Sequence, residues 1–293
     1  MTAARIVPGP KILLMGPEGA GKTDSIRTLV EAGLKVFVVF VEQGMEVLED
    51  ERRKRPVYSC EQGLHWKYVQ VASPSFADLR DSADLLNKFS FEALSNQAPS
   101  KREKFRAHYE VLATLCALKC DRCGKEFGPA DALPYSEWAV VLDSLTSYSK
   151  AVLYGHIGTK PGVHKGEYGI CMRNIETFID KFVGDMACMG VILAHIDKEP
   201  NEVTGGLENM VATLGQKLAP KIPRPFSDAI LAKREGAKFS WSTIEQGYKL
   251  KTRNFEFGGE IKPTFVPVVQ QWLERVKAAQ AQADAITNAP AKP

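Results

Sequence analysis

A glycine-rich segment lies between an apolar stretch and a helical pattern, and it limits the possible folds more than any other feature of the sequence. KILLM (11–15) leads into GPEGAGKT (16–23), and a helical pattern continues to Glu31. An apolar run of this length predicts a buried strand. The segment therefore predicts a strand, a tight loop and a helix in direct succession, which is the beginning of a βαβ unit.

The same alternation of strand and helix patterns continues along the chain. Further apolar runs that predict strands are KVFVVFV (35–41), WKYVQVA (66–72), EWAVVLDS (137–144) and GVILAHI (190–196). Runs that are apolar almost throughout are typical of parallel strands covered on both faces. The sequence therefore predicts an α/β fold with a mainly parallel sheet. DAILAKREG, KFSWSTIEQG and YKLKTRN predict a three-stranded C-terminal β-meander.

Two segments interrupt this alternation. Residues 90–134 carry a charged helical pattern and then KCDRCGKEFGP, and we interpret them as a small cysteine-containing insertion. Residues 197–225 predict a long loop rich in glycine, proline and lysine, and loops of this length are usually functional or disordered. We expect one domain over residues 1–269, followed by a C-terminal helix and a flexible tail over residues 270–293.

Composition excludes several classes of protein. The 293 residues contain no run of about 18 apolar residues, and the N-terminus lacks the apolar core of a signal peptide. Six cysteines in a chain this long are too few for a disulfide scaffold. We therefore expect a cytoplasmic protein without a membrane partner. A net charge of +3 does not by itself indicate a ligand.

The glycine-rich segment matches G-x-x-x-x-G-K-[ST], the pattern of a phosphate-binding loop (P-loop, residues 16–23). Glycines let the backbone N–H groups point at phosphate oxygens, and the helix that follows adds its positive dipole end. Lys22 would neutralise the β- and γ-phosphates, and Thr23 would bind Mg²⁺. The residues expected to hold ATP and Mg²⁺ are Gly16, Pro17, Glu18, Gly19, Ala20, Gly21, Lys22, Thr23 and Asp24.

Two alternatives compete with this interpretation. The segment is also compatible with a glycine-rich turn that binds nothing. A dinucleotide-binding loop would need the order G-x-G-x-x-G, which is not the order found here. No N-K-x-D motif is present, and its absence disfavours GTP as the nucleotide.

Three polar residues stand at the ends of predicted strands. Asp143 ends VVLD and is expected to bind Mg²⁺ together with Thr23. Glu42 follows KVFVVFV and is the candidate base or water-orienting group, and His195 in GVILAHI is the candidate phosphate sensor. The carboxyl ends of parallel strands meet at one edge of a sheet, so we expect these side chains together. The alternative for Asp143 is a helix cap, for Glu42 a helix-capping or solvated glutamate, and for His195 an ordinary histidine at a strand end.

The segment KLKTR places Lys249, Lys251 and Arg253 on one face of the predicted third meander strand, because side chains on a strand repeat every two residues. An anion would relieve the repulsion among three cations. The γ-phosphate bound by a neighbouring subunit is our candidate for that anion, with Lys251 and Arg253 reaching it. A solvated strand face is the alternative.

Cys120 and Cys123 form a C-x-x-C-G turn of the kind that holds Zn²⁺. A tetrahedral site needs two more ligands, for which Cys60, His65, His108 and Cys116 are available. Free buried thiols and a redox pair remain as alternatives. The expected role of the metal is to fold the insertion.

Two segments carry basic residues suited to single-stranded DNA. One candidate is Lys165, which lies in the loop at about 155–167 and has an aromatic residue nearby. The others are Lys217, Lys221 and Arg224 in the loop at about 198–224. Basic loops with an aromatic residue suit single strands, where charge supplies affinity and stacking adds to it. Ordinary solvated surface loops are the alternative.

The order GPEGAGKT, FVVFVEQG, AVVLDS, VILAHID and KTR resembles the RecA-like ATPases, which include RecA recombinases, KaiC and DnaB-type helicases. It is most similar to the short phage members, the Sak-type single-strand-annealing recombinases and their AAA-domain relatives, over about residues 10–258. The resemblance implies that Glu42 polarises water, that His195 senses phosphate, and that Lys251 and Arg253 act across a subunit interface.

The resemblance also implies DNA-stimulated ATP hydrolysis by a ring or filament acting in recombination or annealing in the host cytoplasm. A single-stranded-DNA-binding protein is a further candidate partner. Because the P-loop begins at residue 16, we expect no N-terminal assembly domain of the kind that full-length recombinases carry. Two other functions stay open: a small-molecule phosphotransferase, and a non-catalytic assembly factor switched by nucleotide.

Overall fold

Seven strands run side by side through the centre of the protein in the computed structural model, which describes residues 7–50, 55–200, 207–215 and 217–287. The strands are β1 Lys11–Met15, β2 Lys35–Phe40, β3 Leu64–Tyr68, β4 Leu118–Lys119, β5 Glu126–Gly128, β6 Trp138–Asp143, β7 Met189–Ala194, β8 Ile196–Pro200, β9 Leu207–Val211, β10 Asp228–Glu235 and β11 Lys238–Ser242. The order in the sheet is β11-β10-β1-β7-β6-β2-β3. Within this seven-stranded sheet only the β10–β11 pair is antiparallel, which confirms an α/β fold with a mainly parallel sheet.

Helices connect the parallel strands. They are α1 Arg27–Glu31, α2 Glu46–Glu49, α3 Phe76–Lys88, α4 Phe91–Ser95, α5 Ala107–Cys116, α6 Leu145–Ile157, α7 Lys165–Gly184 and α8 Val266–Thr287. A 3₁₀ turn, Asp24–Ile26, joins the P-loop to α1, so the predicted first helix is α-helical only from Arg27. Among the described residues no helix is both long enough and apolar enough to span a membrane.

The strands are buried because alternate side chains pack into two separate apolar cores, one on each face of the sheet. Leu13 of β1 and Phe37 of β2 belong to one core, which α6 and α7 complete. Ile12 and Leu14 belong to the other, into which α8 inserts Trp272. Four central strands therefore need apolar residues at nearly every position.

The predicted insertion over residues 90–134 packs into the main core. Val111 of α5 and Leu118 of β4 are fully buried in the same cluster as Leu13 and Phe37. β4 and β5 form a small antiparallel hairpin of their own. The segment therefore shares the core of the α/β domain.

The predicted three-stranded meander is wrong in its third strand. β10 and β11 pair, but YKLKTRN makes only single bridges, of Tyr248 with Asn209 and of Lys251 with Ala229. The cause is Asp228, which is fully buried at the start of β10. Its carboxylate accepts the backbone N–H groups of Arg253 (2.7 Å) and Asn254 (2.9 Å), and this turns the chain away from the sheet.

The predicted long loop at 197–225 also contains regular structure. β8 and β9 form an antiparallel hairpin that begins directly after His195. Gly205 and Gly206, which the predicted loop includes, lie outside the described residues, as does the tail from residue 288.

Candidate active site

A cavity of about 500 Å³ lies where the P-loop leaves the carboxyl end of β1. Its walls include Lys22 and Thr23 of the P-loop and all three predicted strand-end residues, Glu42, Asp143 and His195. These residues follow or end β2, β6 and β7, which lie on the same side of β1. The parallel order of the strands therefore brings the predicted site residues to one edge.

The conformation of the P-loop requires glycine at three positions. A Cβ atom at Gly16 would lie 2.5 Å from the carbonyl oxygen of Ala232 on β10. Gly19 and Gly21 adopt φ angles of +70° and +79°, in the left-handed region that L side chains rarely occupy. The spacing of glycines in the sequence thus reflects both close packing and backbone curvature.

Lys22 folds back onto the P-loop itself. Its Nζ donates hydrogen bonds to the carbonyl oxygens of Gly16 and Pro17, both at 2.8 Å, and lies 3.5 Å from His195 Nδ1. Burial lowers the pKa of Lys22 to about 8, although the charges of Asp143 and Glu42 act in the opposite direction. An anion in the cavity would stabilise the ammonium form, and the two carbonyl contacts could be exchanged for it.

Asp143 and Thr23 form the oxygen-rich side of the cavity. The Thr23 hydroxyl donates to Asp143 Oδ2 at 2.7 Å. Asp143 is 2% exposed, and burial raises its pKa to about 6 despite that hydrogen bond. The peptide bond that follows Asp143 is cis. A hydroxyl beside a carboxylate is the donor set that Mg²⁺ uses in phosphate sites.

Glu42 is held from three sides. Ser144 and Ser147 donate their hydroxyls to Oε2, both at 2.6 Å, and His195 Nε2 lies 3.0 Å from Oε1. Burial would raise the pKa of Glu42, but the hydrogen bonds from His195, Ser144 and Ser147 outweigh it and bring the pKa to about 2. A carboxylate so weakly basic is suited to orienting a water molecule and poorly suited to removing its proton.

His195 links the two charged halves of the site, because its ring touches both Lys22 and Glu42. Its backbone is fixed by Thr146, whose hydroxyl accepts the N–H of His195 and donates to the carbonyl oxygen of Ala212, both at 3.0 Å. The N–H of Ala212 in turn donates to the carbonyl oxygen of His195 at 2.9 Å. The β8–β9 hairpin is thereby fastened at its base to the candidate sensor.

The side chains of the cavity that sequence reasoning missed include Arg234 and Phe239, which the β10–β11 hairpin contributes. A Cβ atom at Gly21 would lie 3.0 Å from Phe239 Cδ1. The Arg234 guanidinium lies 5.3 Å from the centre of the Phe239 ring. This aromatic face beside the P-loop is suited to a nucleotide base. No local signal marks these residues, since they reach the cavity only because β10 lies next to β1.

The carboxylate of Asp24, which was predicted to help bind the nucleotide, forms ion pairs with two arginines. Arg27 Nε donates to Asp24 Oδ1 at 3.1 Å, and Arg55 donates to Oδ2. Arg27 is almost fully buried, and its other N–H groups donate to backbone carbonyl oxygens. The carboxylate of Asp24 therefore anchors the start of the first helix, and Arg55 reaches the cavity wall beside it.

Lys251 and Arg253 lie away from this cavity. Lys251 bridges Ala229, which pairs with Leu13 in the middle of β1, and neither Lys251 nor Arg253 lines the cavity. Its Nζ donates to the carbonyl oxygen of Arg224 at 2.6 Å, while Arg253 is exposed. Neither side chain serves the cavity of its own chain.

The predicted DNA-binding residues lie at the surface. Lys165, at the start of α7, and Lys217 and Arg224 are exposed, and Lys221 forms an ion pair with Glu176 at 3.3 Å. Lys160, the other lysine of the first predicted loop, is buried in an ion pair with Glu167 at 2.7 Å. Lys160 is therefore withdrawn from that surface.

Comparisons with known proteins add little to this geometry. No protein-family model matches the sequence, and no curated protein matches it. One solved structure with a similar chain path is a prototypical ATPase from the type III secretion system of pathogenic bacteria, with 10% sequence identity and a TM-score of 0.44. The match covers 78% of this chain and 53% of that one, so this chain spans about half of that protein. The assignment of the site therefore rests on its own side chains.

Proposed function

We propose that this protein is a RecA-like P-loop ATPase that binds ATP with Mg²⁺, hydrolyses it and acts on single-stranded DNA. The observation that carries the proposal is the meeting of Lys22, the Thr23–Asp143 pair and the Glu42–His195 pair in one cavity. The cavity volume, about 500 Å³, lies within the range of small-molecule sites.

The residues present fit Mg²⁺-ATP. Lys22 exchanges the carbonyl oxygens of Gly16 and Pro17 for phosphate oxygens, and the P-loop N–H groups bind the rest of the phosphate chain. Thr23 and Asp143 are the residues that would hold Mg²⁺. When bound, the metal stabilises the charge that develops on the phosphate oxygens.

Glu42 supports hydrolysis over transfer to an organic acceptor. Its three hydrogen bonds keep the carboxylate ionised and fix its direction. A fixed, weakly basic carboxylate orients a water molecule for attack, and the proton of that water then leaves with the phosphate. The contact from His195 to both Glu42 and Lys22 supports a role in detecting the γ-phosphate.

Two observations support an oligomer and a DNA substrate. Lys251 and Arg253 do not line the cavity of their own chain, which is compatible with action on a neighbour in a head-to-tail ring or filament. The β8–β9 hairpin begins next to His195, and the exposed Lys217 and Arg224 follow in the same connection to β10. DNA bound at these residues would be coupled to the nucleotide through His195.

The proposal is tested by ATP turnover with and without single-stranded DNA, together with calorimetric titration of Mg²⁺-ATP. We expect heat from binding and turnover that DNA stimulates, with both lost in Lys22→Ala. Removing such a charged contact costs about 10²–10³-fold in rate. Lys35→Ala, at the opposite end of β2 and paired with Glu137, is the matched control and should behave like the parent.

Other outcomes identify other functions. Turnover that requires an added small-molecule acceptor would indicate a phosphotransferase, and binding without turnover would indicate a nucleotide-switched assembly factor. Absence of binding to folded protein would remove the nucleotide site altogether.

The DNA-binding surface has a separate test. The double variant Lys217→Ala/Arg224→Ala should bind single-stranded DNA more weakly, and its affinity should depend less steeply on salt, by about 1.4 in log–log slope. Lys277→Ala on α8 is the exposed control. Unchanged affinity in the double variant would place the DNA elsewhere or exclude it.

A further inference from the structure

Four potential metal ligands from three segments converge at the free edge of β3. Cys60 lies in the turn before β3, His65 lies on β3, and Cys120 and Cys123 lie in the turn between β4 and β5. The three sulfurs and one ring nitrogen all lie within 4.8 Å of one another. Of the four candidates for the missing ligands, the fold thus selects Cys60 and His65 over Cys116 and His108.

The spacing of these atoms matches tetrahedral zinc. Zn–S and Zn–N bonds of about 2.3 and 2.05 Å at tetrahedral angles put two sulfurs about 3.8 Å apart, and a sulfur and a nitrogen about 3.6 Å apart. Cys60 Sγ lies 3.8 Å from Cys120 Sγ, and Cys123 Sγ lies 3.7 Å from His65 Nδ1. We propose that Cys60, His65, Cys120 and Cys123 bind one Zn²⁺ ion, with His65 coordinating through Nδ1.

The surroundings fit the charge of such a site. Three thiolates and a neutral imidazole around Zn²⁺ carry a net charge of −1, and two cations, Arg122 and Lys125, flank Cys123. Arg122 is held in place: its guanidinium lies 4.2 Å from the centre of the Trp66 ring and donates to the carbonyl oxygen of Tyr58 at 3.0 Å. The negative charge of such a site would therefore lie beside at least one cation that the fold holds in place.

The histidine is also positioned by packing. His65 is 5% exposed, and its ring lies 4.5 Å from the Phe127 ring and 6.1 Å from the Trp138 ring, centre to centre. This packing directs Nδ1 toward Cys123. An apolar shell of this kind limits the access of solvent to a metal site.

A structural role follows from the ligand count and from the location. Four protein ligands leave no coordination position for a substrate. His65 pairs with Phe37 near the beginning of β2, whereas Glu42 follows the end of that strand. The metal site and the nucleotide cavity therefore lie at opposite ends of the sheet.

The turn that carries Cys120 and Cys123 covers the unpaired edge of β3. The N–H of Asp121 donates to the carbonyl oxygen of Trp66 at 2.8 Å, and Asp121 Oδ2 accepts the N–H of Tyr68 at 2.9 Å. Arg122 donates to the carbonyl oxygen of Leu64 at 3.3 Å. Exposed strand edges recruit other strands, so zinc would stabilise a cap that keeps this edge from aggregating.

The first test uses the parent protein, purified without chelator from zinc-containing medium. We expect one zinc per chain, and X-ray absorption should show three sulfur ligands and one nitrogen ligand at the bond lengths given above. Substitution with Co²⁺ should give the spectrum of a tetrahedral thiolate site. A zinc content far below one per chain, a different ligand set, or a disulfide detected by mass spectrometry would overturn the proposal.

Variants identify the ligands. Cys60→Ser and His65→Ala should each lower zinc content or zinc affinity at least tenfold. Cys116→Ser is the matched control, because Cys116 is exposed, close in sequence and outside the cluster, and it should retain one zinc. If a ligand variant fails to fold, the absorption measurement on the parent still decides. Full retention of zinc in Cys60→Ser or His65→Ala would contradict the assigned set.

Discussion

The two ends of the central sheet hold polar groups under opposite conditions. In the cavity at the carboxyl end, Lys22 and Asp143 are buried with pKa values moved toward neutrality, to about 8 and about 6. At the amino end of β3, the four cysteine and histidine donors face one another at the spacing of metal ligands. In the cavity, burial disfavours the charged forms, and a bound ligand would offset that cost. The cluster, in contrast, has the spacing expected for a permanently bound structural metal.

This contrast predicts that chemistry and stability can be changed independently. Substitutions in the cavity should alter turnover while zinc content stays constant. Substitutions in the cluster should alter stability while the affinity for nucleotide stays constant in the folded protein.

The largest expected effect is on catalysis. Glu42→Gln keeps the size of the side chain but removes the charge that orients water, so turnover should fall by about 10²–10⁴-fold. Mg²⁺-ATP binding and one zinc per chain should both remain. Glu92→Gln, an exposed position on α4, is the control. Turnover within a few-fold of the parent would exclude Glu42 from the chemistry.

Removal of zinc should have the next largest effect. A strong chelator should lower the melting midpoint by at least about 5 °C, since each kcal/mol corresponds to roughly 2–4 °C in a domain of 150–250 residues. At temperatures where the protein stays folded, calorimetry should give an unchanged affinity for Mg²⁺-ATP. Loss of nucleotide binding in folded, zinc-free protein would show that the two ends of the sheet are coupled.

Asp143→Asn should stabilise the protein when nucleotide and Mg²⁺ are absent, because it removes a buried charge. The pKa of Asp143 rises from 3.8 to about 6 on folding, so the variant should gain on the order of 1–3 kcal/mol at pH 7. Between these pH values the folded parent holds more protons than the unfolded chain, and its unfolding free energy should fall as pH rises.

Urea titrations of the parent and of Asp143→Asn at several pH values from 4 to 7 measure this effect (about 1.4 kcal/mol per pH unit at most). The variant should lack the contribution of Asp143 to the pH dependence, and Asp81→Asn at an exposed position should keep it. A less stable Asp143→Asn protein at pH 7 would mean that the native carboxylate contributes favourably.

The smallest effect is expected at the edge of β3. Asp121→Ala removes the acceptor of the Tyr68 N–H and should cost about 1–2 kcal/mol of unfolding free energy. Light scattering should also show more association, because the edge is exposed. Lys67→Ala breaks only the half-exposed ion pair with Asp121 and should cost under about 1 kcal/mol. Equal losses in the two variants would argue against the capping role of Asp121.

The parts of the cavity that local sequence could predict are those defined by strand ends. Glu42, Asp143 and His195 each follow or end an apolar run, and a parallel sheet must bring such positions to one edge. Phe239 and Arg234 could not be found in this way, because their position depends on which strand lies beside β1. That neighbour is set by tertiary packing.

The remaining differences between the sequence-based predictions and the structure depend on individual side-chain contacts. The alternation in YKLKTRN predicted a strand, but the buried carboxylate of Asp228 captures two backbone N–H groups of that segment. Lys160, the other lysine of the first predicted loop, is held by Glu167 of α7 and is not available at the surface. In the metal cluster, the spacing of Cys120 and Cys123 predicted that pair, but Cys60 lies sixty positions before Cys120 and only the fold could choose it over Cys116.

The hydrogen bonds through Thr146 couple the position of the β8–β9 hairpin to that of the His195 backbone. Each arm has five residues and reaches about 16 Å at roughly 3.3 Å per residue. A tilt of about 10° at the pivot would displace the far end of the arms by about 3 Å. A small rotation of the backbone at His195 would therefore be enlarged several-fold at the far end of the two strands.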